Sequence, residues 1–309
     1  MDTEKIANKL KEMKAKRVMI QVPEGLKTRL VGIVDEIQKH GFDVLVSCEP
    51  CFGACDLNDA EAKELDCDVI LHIGHTDFGV KSKIPVIYEP YPLDANAVSK
   101  IKKHEKEITK YKNICLVTTS QFLSVIEPSK KYLESIGLNI HLHKQTRSGE
   151  IGQVLGCDYS AALPLEKEVD VYIYLGSGIF HPLGLALRTE KPVISIDMET
   201  GHMEYMTNRK NKHLRIKAYN IGVAQDADKF GILLTTKPGQ MILKQAESIK
   251  KKLQSKGKDV YILIMNQITP DKILGVDVEV IVNCACPRMD EDYELFKKPI
   301  LNPEDVDKI

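Results

Sequence analysis

The 309-residue chain has no apolar run of the roughly 18 residues that a membrane-spanning helix needs. Its opening stretch, MDTEKIANKLKEMKAKR, is polar and charged and lacks the apolar core of a signal peptide. A cytoplasmic protein without a membrane partner is the expectation. Excess basic charge is missing too: 43 Lys and Arg stand against 44 Asp and Glu, a net charge of −1. That balance excludes broad nonspecific attraction to nucleic acid, which needs a basic surface. Close company is also missing around Cys157, which has no second cysteine within forty residues. Metal sites usually announce themselves by close pairs, so Cys157 is either a buried small hydrophobe or part of a site assembled from distant segments.

What is present is repetition. Three strand-like segments open three similar units: RVMIQVPEG (17–25), NICLVTTSQ (113–121) and GILLTTKPG (231–239). A helical pattern follows, for example Leu26, Leu30, Ile33, Val34 and Ile37, or Ile242, Ala246, Ile249 and Leu253. Gly41, Gly137 and Gly257 stand where a glycine would stop each helix, ahead of a second strand. A third strand is expected at DVILHIG (68–74), DVYIYLG (170–176) and DVEVIVN (277–283). A fourth follows the evenly spaced Pro85, Pro192 and Pro299. Alternating strands and helices predict an α/β fold with parallel sheets. Three small units are expected around a pseudo-threefold site: residues 1–105, 106–197, and 198–309, the last beginning with a linker or helical insertion at 198–228. The basic run NRKNKHLR (208–215) reads as a solvated face, or as a contact for an acidic partner or anion.

Eight cysteines stand at 48, 51, 55, 67, 115, 157, 284 and 286. A chain this long buries enough core to need no disulfide staples, and a reducing compartment disfavours them. Cys67 and Cys115 lie in apolar strand contexts and read as core. Ligands of open parallel sheets bind beyond the carboxyl ends of the strands. Cys55 and Cys157 each follow a second strand, and Cys286 follows a third. These three loops can converge, and three thiolates suit a soft metal or an iron–sulfur cluster with one open coordination position. The pairs Cys51-x3-Cys55 and Cys284-x-Cys286 leave zinc, or shared ligand duty, as alternatives; Cys48 is equally unassigned.

GACD (53–56), GQVLGCD (152–158), GSGIFHPLGLAL (176–187), TTKPGQ (235–240) and ACPR (285–288) occur in this order. The chain thereby resembles the archaeal 2-(3-amino-3-carboxypropyl)histidine synthase family, which performs the first step of diphthamide biosynthesis. The resemblance implies a homodimer of three-unit α/β chains and a [4Fe–4S] cluster held by Cys55, Cys157 and Cys286. Cys284 stands where the family usually has another residue. S-adenosylmethionine is the implied substrate, with a separate electron donor. Cleavage at its γ-carbon would give a 3-amino-3-carboxypropyl radical that adds to a histidine of translation elongation factor 2. Gly176, Gly178 and Gly184 would let backbone approach the cofactor, and Ser177 and His181 would hydrogen-bond it. The alternative for this stretch is a tight strand-to-helix turn with a capping serine. Lys237 and Gln240 would meet the methionine carboxylate or amine, and Arg288 a carboxylate or a surface acid. His72 and His75, flanking Gly74 at a strand end, read equally as structural or as site residues. Two other readings are a quinolinate synthase-like [4Fe–4S] dehydratase and a non-catalytic metal-binding scaffold.

Overall fold

The computed structural model describes residues 1–289 and 293–309. Three sheets carry the chain. The first holds β1 (Arg17–Gln21), β2 (Asp43–Val46), β3 (Val69–Ile73) and β4 (Val86–Glu89). The second holds β5 (Asn113–Thr118), β6 (Asn139–His141), β7 (Val171–Gly176), β8 (Val193–Asp197) and β9 (Met203–Tyr205). The third holds β10 (Lys229–Thr235), β11 (Asp259–Met265), β12 (Val280–Cys284) and β13 (Ile300–Leu301). The spatial orders are β2-β1-β3-β4, β6-β5-β7-β8-β9 and β11-β10-β12-β13. Every pairing is parallel except β8 with β9.

The apolar runs become strands because both faces are covered. β3, β7 and β12 are buried along their whole length, as expected of parallel strands under helices. On β1, Val18 and Ile20 join a core with Ile6, Leu10, Ile33 and Ile37, while Met19 packs on the other face with Ala62 and Cys67. Each such aliphatic side chain contributes roughly 1.5–3 kcal/mol by leaving water. The helices Leu30–Lys39, Ile126–Ser135 and Leu243–Ser255 then end at Gly41, Gly137 and Gly257, whose φ values of 90°, 86° and 81° fit the left-handed stop.

The repeat extends to hydrogen bonds. Asp68 Oδ2 accepts from the backbone N–H of Lys16 and Arg17, at 2.7 and 2.8 Å. Asp170 Oδ2 accepts from Lys112 and Asn113, at 3.0 and 2.7 Å. Glu279 Oε2 accepts from Asp228 and Lys229, both at 2.8 Å. Each carboxylate thus pins the start of the central strand, and these N–H groups hold all three carboxyls below their ordinary pKa values. The carbonyls of Pro85, Pro192 and Pro299 accept from Ile70, Tyr172 and Ile281 in turn.

Two expectations change. In the third sheet the counterpart of Asp68 and Asp170 is Glu279 rather than Asp277, so the expected register there shifts by two residues. Val278, apolar like the residue after each true peg, disguised the shift. The segment 198–228 is also more than a linker. β9 adds an antiparallel edge to the second sheet, and Thr207–Asp226 forms a 20-residue helix. The basic run lies on that helix and meets acids of this chain: Arg209 with Glu204, Lys210 with Glu190, and Lys212 with Glu294.

Candidate functional site

A cavity of about 490 Å³ is lined by segments that follow carboxyl ends of strands from all three sheets. Cys55, His75 and Phe78 come from loops of the first sheet, Ser120, Gln153, Cys157 and His181 from segments after strands of the second, and Lys237, Gln240, Asn266, Cys286 and Arg288 from loops of the third. Cys55, Cys157 and Cys286 therefore meet at one place, as free thiols.

Local structure presents each thiol. Beyond β2, the buried Gln21 of β1 donates to the Asp56 carbonyl at 2.6 Å and steadies the Cys55 loop. Gly239 N–H donates to the Cys55 carbonyl at 3.1 Å. A side chain at Gly239 would lie 2.5 Å from Cys55 Cβ, so only glycine permits this approach. Beyond β6, residues 152–154 run beside the tip of β5, with hydrogen bonds of 2.8 Å from Thr118 N–H to the Gly152 carbonyl and from Val154 N–H to the Thr118 carbonyl. A turn closed between Leu155 and Asp158 then exposes Cys157. Past β12, Asn283 Nδ2 donates to the Cys286 carbonyl at 2.6 Å and to Asn302 Oδ1 at 2.9 Å.

Burial pushes the Cys55 thiol up, opposed by the Gln240 amide that donates to its sulfur at 3.1 Å and aided by nearby Cys157. Burial raises Cys286 to about 11, with Cys55 and Cys157 adding to the effect. Arg147 Nη1 stands 3.8 Å from Cys157 Sγ. Burial and the neighbouring thiols thus disfavour the thiolate at Cys55 and Cys286, and a cationic metal group would reverse both effects.

Lys237, 7% exposed, forms an ion pair of 2.5 Å with fully buried Asp56 and donates to Gln267 at 2.8 Å. Its ammonium also lies 5.3 Å from the centre of the Phe52 ring. Arg288 is buried, donates to Tyr159 Oη at 2.9 Å, and lies 4.1 Å over the Phe180 ring. It reaches there because Gly184 has no side chain: a Cβ would stand 1.9 Å from its guanidinium. Burial drives His181 down to about 3, so its imidazole is neutral near pH 7; the ring stacks on Tyr174.

Gly176, Ser177 and Gly178 do not line the cavity. Their turn packs on the second sheet, where the Ser177 carbonyl accepts from Tyr174 Oη. Ser177 does not cap the next helix, which begins after Ile179 without a side-chain cap. Gly184 backs Arg288. Cys284 lies inside β12, fully buried among Ile232, Val280 and Leu301. Cys67 and Cys115 also lie in cores. Cys48 is exposed, while Cys51 is buried beside His72. Sequence reasoning missed Asp56, Arg147, Phe52, Phe78 and Phe180. Asp56 and Phe180 sit inside GACD and GSGIFHPLGLAL and were legible there; Arg147 carries no local signal.

The family model for diphthamide synthesis proteins matches residues 22–308. The 2-(3-amino-3-carboxypropyl)histidine synthase of Pyrococcus horikoshii is 35% identical over 305 residues, covering 98% of this chain and 88% of the relative. That of Methanocaldococcus jannaschii is 28% identical, covering 99% of this chain and 88% of the relative. The crystal structure of Dph2 from P. horikoshii with a 4Fe-4S cluster superposes with a TM-score of 0.92 at 34% identity, covering 99% of this chain and 90% of that one. Sequence and fold agree, and the chain belongs to the diphthamide synthesis protein family.

Proposed function

We propose that the chain transfers the 3-amino-3-carboxypropyl group of S-adenosylmethionine to a histidine of translation elongation factor 2, using a [4Fe–4S] cluster held by Cys55, Cys157 and Cys286. The observation that carries this reading is the meeting of these three thiols in one cavity from loops distant in sequence. Their spread fits a cluster. Among the described residues, the one group of three or more His, Cys or acidic side chains with ligand atoms mutually within 4.8 Å is Cys51, His72 and His75. The cavity sulfurs are therefore wider apart than a single ion would draw them. Several irons, taking protein ligands at separate corners, suit that spread. The equal strand order of the three sheets supports a pseudo-threefold arrangement around the cavity, in units 1–105, 106–197 and 198–309.

Held by Cys55, Cys157 and Cys286, the cluster would supply one electron for cleavage of the sulfur–γ-carbon bond of S-adenosylmethionine; methylthioadenosine would leave, and the 3-amino-3-carboxypropyl radical would replace an imidazole hydrogen, which departs as a proton and an electron. The protein's own residues bind, orient and shield. Lys237 and Arg288, held rigidly by Asp56 and Tyr159, place positive charge where the amino-acid end of the substrate needs it. Gln240 donates to the Cys55 sulfur and stands beside that end. Phe52, Phe78, Phe180 and Leu155 form apolar walls that keep water from a reactive carbon. His181, neutral and stacked on Tyr174, can donate or accept one hydrogen bond. Gly176, Ser177 and Gly178 support the loop that presents Phe180 and His181.

A homodimer, a separate electron donor and a cytoplasmic setting complete the reading by family resemblance. Among the described residues no helix is long and apolar enough to cross a membrane. The deciding experiment is anaerobic incubation with dithionite, labelled S-adenosylmethionine and elongation factor 2, followed by mass analysis of the histidine. Label on that residue is expected. An iron-free, zinc-loaded and inactive protein would favour the scaffold reading instead.

A further inference from the structure

Behind the Cys55 wall lies a second group of donor atoms. Cys51 Sγ is 3.8 Å from His72 Nε2, and His72 Nε2 is 2.9 Å from His75 Nδ1. All three ligand atoms lie within 4.8 Å of one another. β3 places His72 and His75 at its carboxyl end, and the loop after β2 carries Cys51 across to them. Cys51 is 2% exposed and His72 fully buried. His75 is half-buried and reaches the cavity.

Hydrogen bonding serves only part of this group: the Cys51 thiol can donate to the Gly53 or Asp56 carbonyl, each at 3.9 Å, while the His72 ring is left short. His72 Nε2 faces both a thiol and a second imidazole nitrogen, yet one ring nitrogen offers either one proton or one lone pair. The His72 ring has no second outlet, because its Nδ1 is buried without a hydrogen-bond partner. A cation between the three atoms would engage all of them at once. One sulfur and two imidazole nitrogens form a borderline-soft set, of the kind that selects zinc-class divalent ions over magnesium or calcium. Burial keeps both imidazoles neutral, the form that binds metal, and pushes the Cys51 thiol up to about 12, so an arriving cation must displace its proton.

We propose that Cys51, His72 and His75 form a three-ligand site for a zinc-class divalent ion, separate from the Cys55, Cys157 and Cys286 group and with its remaining position toward the cavity that His75 lines. The ion would lock the loop carrying Cys55 onto the end of β3, since Cys51 and Cys55 share that loop. The site stands on its own donor atoms, whichever group the other three thiols hold.

The test uses anaerobically purified holoprotein dialysed against micromolar Zn²⁺ and then against buffer with a weak chelator. Zinc and iron are counted in the same sample, and the zinc environment is read by X-ray absorption at its own edge. About one zinc per chain is expected in addition to iron, with one sulfur and two imidazole nitrogens around it. Cys51→Ser and His75→Gln should each lower retained zinc at least tenfold, with an unchanged circular dichroism spectrum. A wild-type protein that retains no zinc overturns the proposal. So does a zinc shell of three or four sulfurs, which would place the ion at the cavity thiols. Should a variant fold poorly, the wild-type absorption spectrum alone decides.

Discussion

Cys284 and Cys286 stand two residues apart and live in different surroundings. Cys284 ends β12 inside the third core, walled by aliphatic side chains. Cys286 lies past the strand tip, on the cavity that Cys55 and Cys157 share. Burial raises both thiols to about 11, so acidity does not separate them. Position relative to the strand end does: inside the sheet a thiol is a small hydrophobe, and beyond the tip it faces other loops. The same contrast divides Cys115, inside β5, from Cys157 on the cavity.

The sharpest way to break this comparison is to exchange thiols on both sides of it. Cys157→Ala should abolish activity and lower iron from about four per chain to below one. Far-ultraviolet circular dichroism and melting should barely change, because the sheets supply the core. Retained iron with normal modification of elongation factor 2 would remove Cys157 from the site.

Next in size is Lys237→Met, which strands the Asp56 carboxylate in a buried place and should cost about 3–5 kcal/mol by denaturant unfolding. A loss below about 1 kcal/mol would mean that water reaches the pair in solution.

Acid should weaken the fold through His72 and His75. Burial lowers their folded values from the ordinary 6.5 to about 3 and about 4. A depressed imidazole binds its proton more readily unfolded, so its stabilising contribution is complete above pH 6.5 and fades as pH falls toward the folded value. Between pH 7.5 and 5.5 the pair should lose about 2–3 kcal/mol, measured by urea unfolding with chelator present. His72→Gln should roughly halve that change.

Smaller again is Cys284→Ser, which puts a hydroxyl into an apolar core and should cost about 1–3 kcal/mol while leaving iron content intact. Cys48→Ser, at an exposed position, should change stability by less than about 0.5 kcal/mol. If Cys284→Ser emptied the iron and Cys286→Ser did not, the two thiols would have to trade roles.

Much of this was legible before any coordinates. The succession of strands and helices along the chain followed from a pattern told three times, with Gly41, Gly137 and Gly257 as full stops between helix and strand. The convergence of Cys55, Cys157 and Cys286 followed from where strands end. What escaped was set by side chains rather than by period. The ion pair of Asp56 with Lys237 joins a loop of the first sheet to one of the third, and no local pattern records it. Glu279 took over from Asp277 because strand pairing, not the letter D, fixes which carboxyl reaches the backbone. GSGIFHPLG looked like a cradle for a cofactor; its early glycines shape the turn, and Gly184 makes room for a guanidinium.

The three carboxylates at Asp68, Asp170 and Glu279 fasten the sheets at the ends away from the cavity. Rim loops outside buried pairs such as Asp56 with Lys237 can therefore be lengthened, rewritten or recharged at little cost to the strands beneath them. Such a scaffold is suited to hosting new reactions by redrawing its rim, with the anchorage left as it is.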